Sequence, residues 1–107
     1  MKNYTYKFSI WLFDKDSKTQ KISTRKASKI VESQTIKYFG YGTIWNTIWI
    51  YTHDNWELVR EPSISVSVSF NEKPLQNLVS EYVNVLKSEL NQESIMLQVS
   101  EENLNFL

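Results

Sequence analysis

The sequence predicts an α+β domain in which two helices cover one face of a four-stranded antiparallel sheet. A chain of 107 residues is long enough to bury one hydrophobic core. Four of its segments alternate residue types with period two, as strands do, and two others repeat apolar residues with helical spacing. They follow one another as strand, helix, strand, strand, helix, strand. We therefore treat residues 1–107 as a single domain.

The first strand is predicted from Tyr4 to Phe13. Its alternation puts Trp11 and Phe13 on the half-polar face, opposite the face that would join the core. A polar connection follows from Asp14 to about Ile22. Its two aspartates have the spacing of a calcium loop, but no acidic residue closes the loop where a calcium ligand is required. We predict no metal site.

A helix is predicted from Thr24 to Phe39. Ser23 or Thr24 can cap its first turn, and Gly40 tolerates the left-handed conformation that follows the last turn of many helices. Helical spacing marks the side that should be buried, which carries Ala27, Ile30, Val31, Gln34 and Tyr38.

The stretch from Gly42 to Phe70 is predicted to form a hairpin that turns near His53, Asp54 and Asn55. One face of its first strand carries isoleucines, and the other carries Trp45, Trp49 and Tyr51. Its second strand is predicted to follow Pro62, with Arg60 and Glu61 at its entrance. It alternates apolar residues with the serines at 63, 65, 67 and 69. One face of the hairpin therefore suits a core, and the other carries large aromatic side chains among hydroxyl groups.

The second helix is predicted to begin near Pro74, which suits a first turn, and to end at Leu90. A last strand is predicted for residues 94–99, and residues 100–107 either add a short edge segment or fray. This order of elements predicts the ferredoxin-like βαββαβ fold, with both helices on one face of the sheet. The aromatic face would then be left open.

Two short segments carry a resemblance to known proteins: Arg-Glu-Pro-Ser at 60–63 and Gln-Glu-Ser at 92–94. Together with the glycine pair after the first helix and the order of elements, they make residues 8–99 resemble a family of small, uncharacterised bacterial proteins. The chain departs from that family in its added aromatic residues and in its basic first loop. The resemblance implies the ferredoxin-like fold and supplies no activity.

Polar residues near the hairpin turn are the candidates for chemistry. His53 is the only histidine, and it would have to build a catalytic triad or a metal site alone. Arg60 can bind a carboxylate or phosphate, or it can tie the hairpin to Glu57 or Glu93. The candidate polar site comprises His53, Arg60, Glu61 and Glu93; we assign no catalytic residue and no cofactor.

Charge is balanced overall but divided along the chain. Residues 1–38 carry nine Lys or Arg against three Asp or Glu, and the rest of the chain carries the opposite excess. This pattern indicates either a patch for phosphate or an acidic partner, or a solvated loop and outer helix face. The candidate patch comprises Lys18, Lys21, Arg25, Lys26 and Lys29.

The open aromatic face permits three classes of function. A homodimer or another protein can bury it; single-stranded nucleic acid can stack on it; or a small ligand can be enclosed there, as in enzymes of the dimeric α+β barrel type. Balanced charge disfavours the second, and a lone turn histidine disfavours the third. We predict a protein-binding module that self-associates through Trp11, Phe13, Trp45, Trp49 and Tyr51.

The chain contains no cysteine, which removes disulfides and thiolate metal sites and fits a reducing compartment. Its N-terminal segment lacks the features of a signal peptide, and no apolar run approaches the length that spans a membrane. We therefore expect a cytoplasmic protein without a membrane partner.

Overall fold

The structure, a computed structural model, describes residues 2–103. The strands form one antiparallel sheet in the order β2-β3-β1-β4. Both helices pack on one face of it, which confirms the predicted α+β, ferredoxin-like architecture. The elements are β1 (Lys2–Trp11), α1 (Thr24–Phe39), β2 (Thr43–Thr52), β3 (Leu58–Phe70), α2 (Gln76–Glu89) and β4 (Met96–Asn103).

The core lies between the helices and the even-numbered residues of the two central strands. Phe8 pairs with Val66 and Ile10 pairs with Ile64, so four apolar side chains meet on one face. Each helix covers these side chains with one row of buried residues, as strand alternation and helical spacing predict. The fully buried cluster includes Phe8, Ile10, Ala27, Val31, Ile64, Val66, Tyr82 and Leu86.

Helix α1 begins and ends where its capping signals predict. The Ser23 hydroxyl accepts a hydrogen bond from the Lys26 N–H at 3.2 Å. At the other end Gly40 has φ 83°, and its N–H donates to the Ile36 carbonyl. A Cβ atom at Gly42 would lie 2.9 Å from Thr35 Cγ2. The chain therefore needs a residue without a side chain where it leaves α1 for β2.

Strand ends differ from the predictions in two places around Pro62. Strand β3 begins at Leu58, so Arg60, Glu61 and Pro62 lie inside the strand instead of before it. Pro62 is tolerated there because its carbonyl still accepts from the Leu12 N–H at 3.0 Å. Strand β1 ends at Trp11, and Phe13 forms only an isolated bridge with Gln20.

The last strand is displaced toward the C-terminus relative to its prediction. It begins at Met96 instead of Ser94 and continues to Asn103. Residues 100–103 of the predicted tail therefore belong to the sheet, where Ser100 pairs with Thr5. Residues 104–107 lie outside the described part of the chain.

The β2–β3 hairpin extends past the helices. On its helix-facing side, Ile48, Ile50 and Leu58 are 57%, 61% and 57% exposed. We call residues 48–60 the projecting half of the hairpin. Within residues 2–103, no helix has the length and apolar character needed to cross a membrane.

Candidate ligand site on the open sheet face

The face without helices carries the odd-numbered residues of the first three strands. Trp11 and Trp49 meet there edge to face, with ring centroids 5.4 Å apart. The Thr47 and Ser63 hydroxyls lie 2.6 Å apart on the same face. Trp45 and Trp49 are about half exposed. Alternation thus places the aromatic residues on the open side. The registers of β1 and β2 on β3 set Trp11 opposite Ser63 and Trp49 opposite Glu61, which brings the two tryptophans together.

A cavity of about 430 Å³ lies at the end of this face where β1 leaves the sheet. Its volume falls in the range of small-molecule sites. The residues that matter for its chemistry are Trp11, Phe13, Tyr51, His53, Glu61 and Glu93. A larger cavity of about 640 Å³ lies farther along the face, between Trp45 and a floor of serine and threonine hydroxyls. Only the first contains a buried carboxylate.

Phe13 connects residues 60–63 and 92–94, two segments that lie far apart in the sequence. Its N–H donates to Glu61 Oε2 at 2.9 Å. Its carbonyl accepts from Gln92 Nε2, also at 2.9 Å. Glu61 and Gln92 are each only 8% exposed. We call this arrangement the Phe13 strap, and it fixes a carboxylate and an amide at the wall of the cavity.

The cavity carries more negative than positive charge. Glu61, Glu93 and Asp14 line it, against Lys15 and Lys18. Across residues 2–103, Glu61 forms no ion pair, because the single salt bridge of that region joins Lys2 and Glu101. Burial of a carboxylate without a cationic partner is unfavourable, and at Glu61 the hydrogen bond from the Phe13 N–H offsets part of that cost.

Asp14 is held in its ionised form. The side chain of Asn91 donates to Asp14 Oδ1 at 2.6 Å, and the N–H groups of Ser17 and Asp16 donate to its other oxygen. These hydrogen bonds, the one from Asn91 first, lower the pKa of the Asp14 carboxyl below its ordinary value. A negative charge at this rim of the cavity therefore persists at neutral pH.

The predicted polar residues are only partly brought together. His53, Glu61 and Glu93 line the cavity, and the His53 ring lies edge to face against Tyr51. Arg60 pairs with Ile50 in the register and faces the helix side, because neighbouring strand residues point to opposite faces. In residues 2–103 it forms no ion pair with Glu57 or Glu93.

The predicted basic patch lies largely on the other side of the molecule. Lys21, Arg25, Lys26 and Lys29 are exposed in the loop and on α1, which covers the helix side of the sheet. Lys18 alone reaches the cavity. The basic residues and the aromatic face therefore do not form one continuous surface.

Sequence reasoning missed Gln92 and Asp14 as cavity residues. Gln92 belongs to the Gln-Glu-Ser segment, which was the one signal that could have found it. The spacing of Asp14 and Asp16 relates Asp14 to a calcium loop and gives no sign of a ligand cavity. In the described part of the chain, no group of three His, Cys, Asp or Glu side chains could hold a metal ion.

Comparison with known proteins gives similarity of structure alone. No protein-family model and no curated protein matches the sequence. A phage SAM lyase in its apo state superposes with a TM-score of 0.62 and 16% identity, over 92% of this chain and 79% of that one. A phage SAM lyase in complex with S-methyl-5'-thioadenosine gives 0.58 and 18%, over 92% and 81%. At these identities the likeness shows a shared fold.

Proposed function

We propose that this chain binds S-adenosylmethionine in the cavity at the Phe13 strap and cleaves it with release of S-methyl-5'-thioadenosine. The observation that carries the proposal is Glu61, a carboxylate that is 8% exposed and lines a cavity of small-molecule size without a cationic partner among residues 2–103. A ligand with a fixed positive charge would compensate it. The sulfonium of S-adenosylmethionine is such a charge.

Aromatic rings support the same assignment. Trp11, Phe13 and Tyr51 all contribute to the cavity wall. Aromatic faces attract cations and also stack on planar rings, with Trp the strongest for cations. An adenine ring and a neighbouring sulfonium present both features to one wall. A second carboxylate, Glu93, is available for the ammonium group of the amino-acid part.

The structural neighbours support this particular class of ligand. A phage SAM lyase with the same fold has been solved with S-methyl-5'-thioadenosine. The fold alone would allow many ligands. The conjunction of that fold with a buried carboxylate and an aromatic wall favours an adenosyl sulfonium over the other cations.

Cleavage at a sulfonium makes modest demands on the protein. The bond that breaks joins sulfur to the γ-carbon of the methionine part, and its electron pair stays on sulfur, so the neutral thioether leaves without taking a proton. A carboxylate oxygen of the same substrate forms the new bond to that carbon, which closes a lactone with no proton gained or lost. The site must hold the charged substrate in a reactive conformation and keep water from its charge. A fixed carboxylate and an aromatic wall supply these two elements, and the substrate's own carboxylate serves as the nucleophile, so the protein needs no nucleophile and base of its own.

The test is formation of S-methyl-5'-thioadenosine from S-adenosylmethionine, measured by chromatography against a protein-free blank. The wild type should form the thioether, and Glu61→Gln should form it at least about tenfold more slowly, since one charge contact is lost. Gln keeps an oxygen acceptor for the Phe13 N–H, so the strap should survive. Glu57→Gln, an exposed change in the same hairpin, is the control and should match the wild type. Product formation equal to the blank would overturn the lyase assignment.

Self-association through the tryptophans of the open face is a second proposed role, supported by a different observation. Trp45 is 47% and Trp49 is 49% exposed on one face of an edge strand. Exposed aromatic surface of this kind usually marks an interface. Light scattering should give a dimer mass for the wild type and for Trp56→Ser, a tryptophan in the hairpin turn. Trp45→Ser combined with Trp49→Ser should give a monomer with unchanged helical signal, and an unchanged dimer would refute this role.

A further inference from the structure

Strand β2 is an edge strand without the protection that edges normally carry. It runs Thr-Ile-Trp-Asn-Thr-Ile-Trp-Ile-Tyr-Thr, ten residues with no charge and no proline. Natural sheets protect exposed edges with Lys, Pro, bulges or short strands. The opposite edge, β4, does carry charge at Glu101 and Glu102, and Glu101 pairs with Lys2 at 3.0 Å. The two edges of one sheet are therefore built differently.

The unpaired backbone groups of β2 can be assigned from the hydrogen bonds at its end. The His53 N–H donates to the Glu57 carbonyl at 3.0 Å, which continues the β2–β3 ladder by one pair. Antiparallel ladders alternate bonded and non-bonded pairs. The odd-numbered residues of β2 thus bond to β3, and the even ones point N–H and C=O outward. The outward groups belong to Ile44, Asn46, Ile48, Ile50 and Thr52.

We propose that a second copy of this chain pairs its own β2 antiparallel to this edge, about a two-fold axis that passes midway between Thr47 and its symmetry copy. The axis sets Thr47 opposite Thr47 of the partner subunit. It also sets Trp45 opposite Trp49 of the partner subunit. This geometry specifies the contact for the self-association proposed above, on which it rests.

Side-chain chemistry favours this register over its neighbours. A shift of one residue would put core-facing side chains opposite open-face ones, so only even shifts are allowed. A shift of two residues would set Trp49 against Thr47 and separate the tryptophans. In the register proposed, both tryptophan pairs occupy non-hydrogen-bonded positions, where opposite side chains approach most closely.

The proposed contact also brings apolar side chains together on the helix-facing side of β2. Ile50, at 61% exposed, would lie opposite Ile44 of the partner subunit, a position that is only partly exposed in each chain. Ile48 would lie opposite Asn46 of the partner subunit. No charged side chain of either strand enters the contact, because β2 has none. A second β2 therefore matches this edge in length, in hydrogen-bonding pattern and in the absence of charge.

The arrangement leaves the ligand site accessible. A two-fold axis perpendicular to the sheet joins two four-stranded sheets into one of eight strands, with all helices on the same side. Both cavities then open on the other side. Packing of two open faces against each other would instead cover both cavities.

A disulfide tests the axis directly, because the chain has no native cysteine. Non-hydrogen-bonded cross-strand residues have Cα atoms about 4.5 Å apart, within the range for a disulfide. Thr47→Cys should therefore form a covalent dimer under mild oxidation. Thr43→Cys is the matched control, since its two copies would lie eight residues apart along the strand, about 27 Å. It should stay monomeric on a non-reducing gel.

Light scattering of the wild type separates the two proposals. A dimer mass with cross-linking of Thr47→Cys alone supports the edge contact. A dimer mass with no cross-link at Thr47, or with equal cross-linking of both variants, overturns the edge contact while self-association stands. A monomer mass or a trimer mass overturns the edge contact outright. Ile48→Lys, which adds the usual edge protection, should halve the mass and keep the helical signal; a dimer of this variant also counts against the edge contact.

Discussion

The two halves of the β2–β3 hairpin carry similar residues in opposite environments. Ile64 and Val66 are fully buried beneath the helices, whereas Ile48 and Ile50, on the same face of the sheet, are more than half exposed. Residue type does not separate them, because all four are β-branched aliphatic residues. Alternation along a strand therefore specifies only the face of the sheet on which a residue lies. Coverage of that face depends on where the helices end.

The largest effect on stability should be the difference between truncating an isoleucine in the buried half and truncating one in the projecting half. Ile64→Ala should lower the free energy of unfolding by about 2–5 kcal/mol, because it leaves a cavity in the core. Ile50→Ala should change the free energy of unfolding of the monomer by less than about 0.5 kcal/mol. Urea denaturation at concentrations where the protein is monomeric measures both. Equal losses would mean that the projecting half is covered within one chain.

An intermediate effect on stability should appear at high pH, from a buried tyrosine of α2, one of the helices that cover the buried half of the hairpin. Tyr82 is fully buried, and its hydroxyl lies 2.8 Å from Thr35 Oγ1. Burial raises the pKa of Tyr82 from 10.0 to about 12, with the Thr35 hydrogen bond opposing it in part. The folded state thus favours the protonated phenol. The contribution of Tyr82 to the free energy of unfolding is therefore fully present below about pH 10. It is lost as the pH rises from there toward 12, and its size is on the order of 2–3 kcal/mol.

Tyr82→Phe isolates that contribution. The variant should lose less stability than the wild type between pH 9 and pH 12, measured by urea denaturation at each pH. Tyr41→Phe, at a half-exposed tyrosine, is the control and should keep the wild-type slope. A Tyr82→Phe profile parallel to that of the wild type would show that the buried phenol does not titrate in this window.

The smallest effect should come from the cap of the helix that covers the buried half. Ser23→Ala removes the acceptor for the Lys26 N–H and should cost about 1 kcal/mol of stability, whereas Ser23→Gly should cost only a few tenths. Thermal unfolding of the two variants side by side measures the difference. If Gly were the more harmful change, the cap would not be the source of the effect.

The bounds of α1 could be predicted because Ser23 and Gly40 mark both ends by local chemistry. The start of β3 could not, because Pro62 indicates a strand boundary in sequence. Only the pairing with β1 shows that residue 62 accepts a hydrogen bond through its carbonyl and does not need an N–H donor. The aromatic face followed from alternation in β1 and β2. The Phe13 strap did not, since its hydrogen bonds join Phe13 to residues 48 and 79 positions away.

One titration tests directly whether Glu61 recognises the positive charge of the ligand. S-adenosylmethionine and S-adenosylhomocysteine differ by one methyl group and one positive charge on sulfur. Calorimetric titration of both into the wild type and Glu61→Gln, at a temperature where no thioether forms, compares their affinities. We predict that the wild type prefers the sulfonium by about tenfold, equivalent to about 1.4 kcal/mol, and that Glu61→Gln loses this preference. Equal binding of both ligands by the wild type, or no binding of either, would contradict the proposal that Glu61 recognises the sulfonium of S-adenosylmethionine.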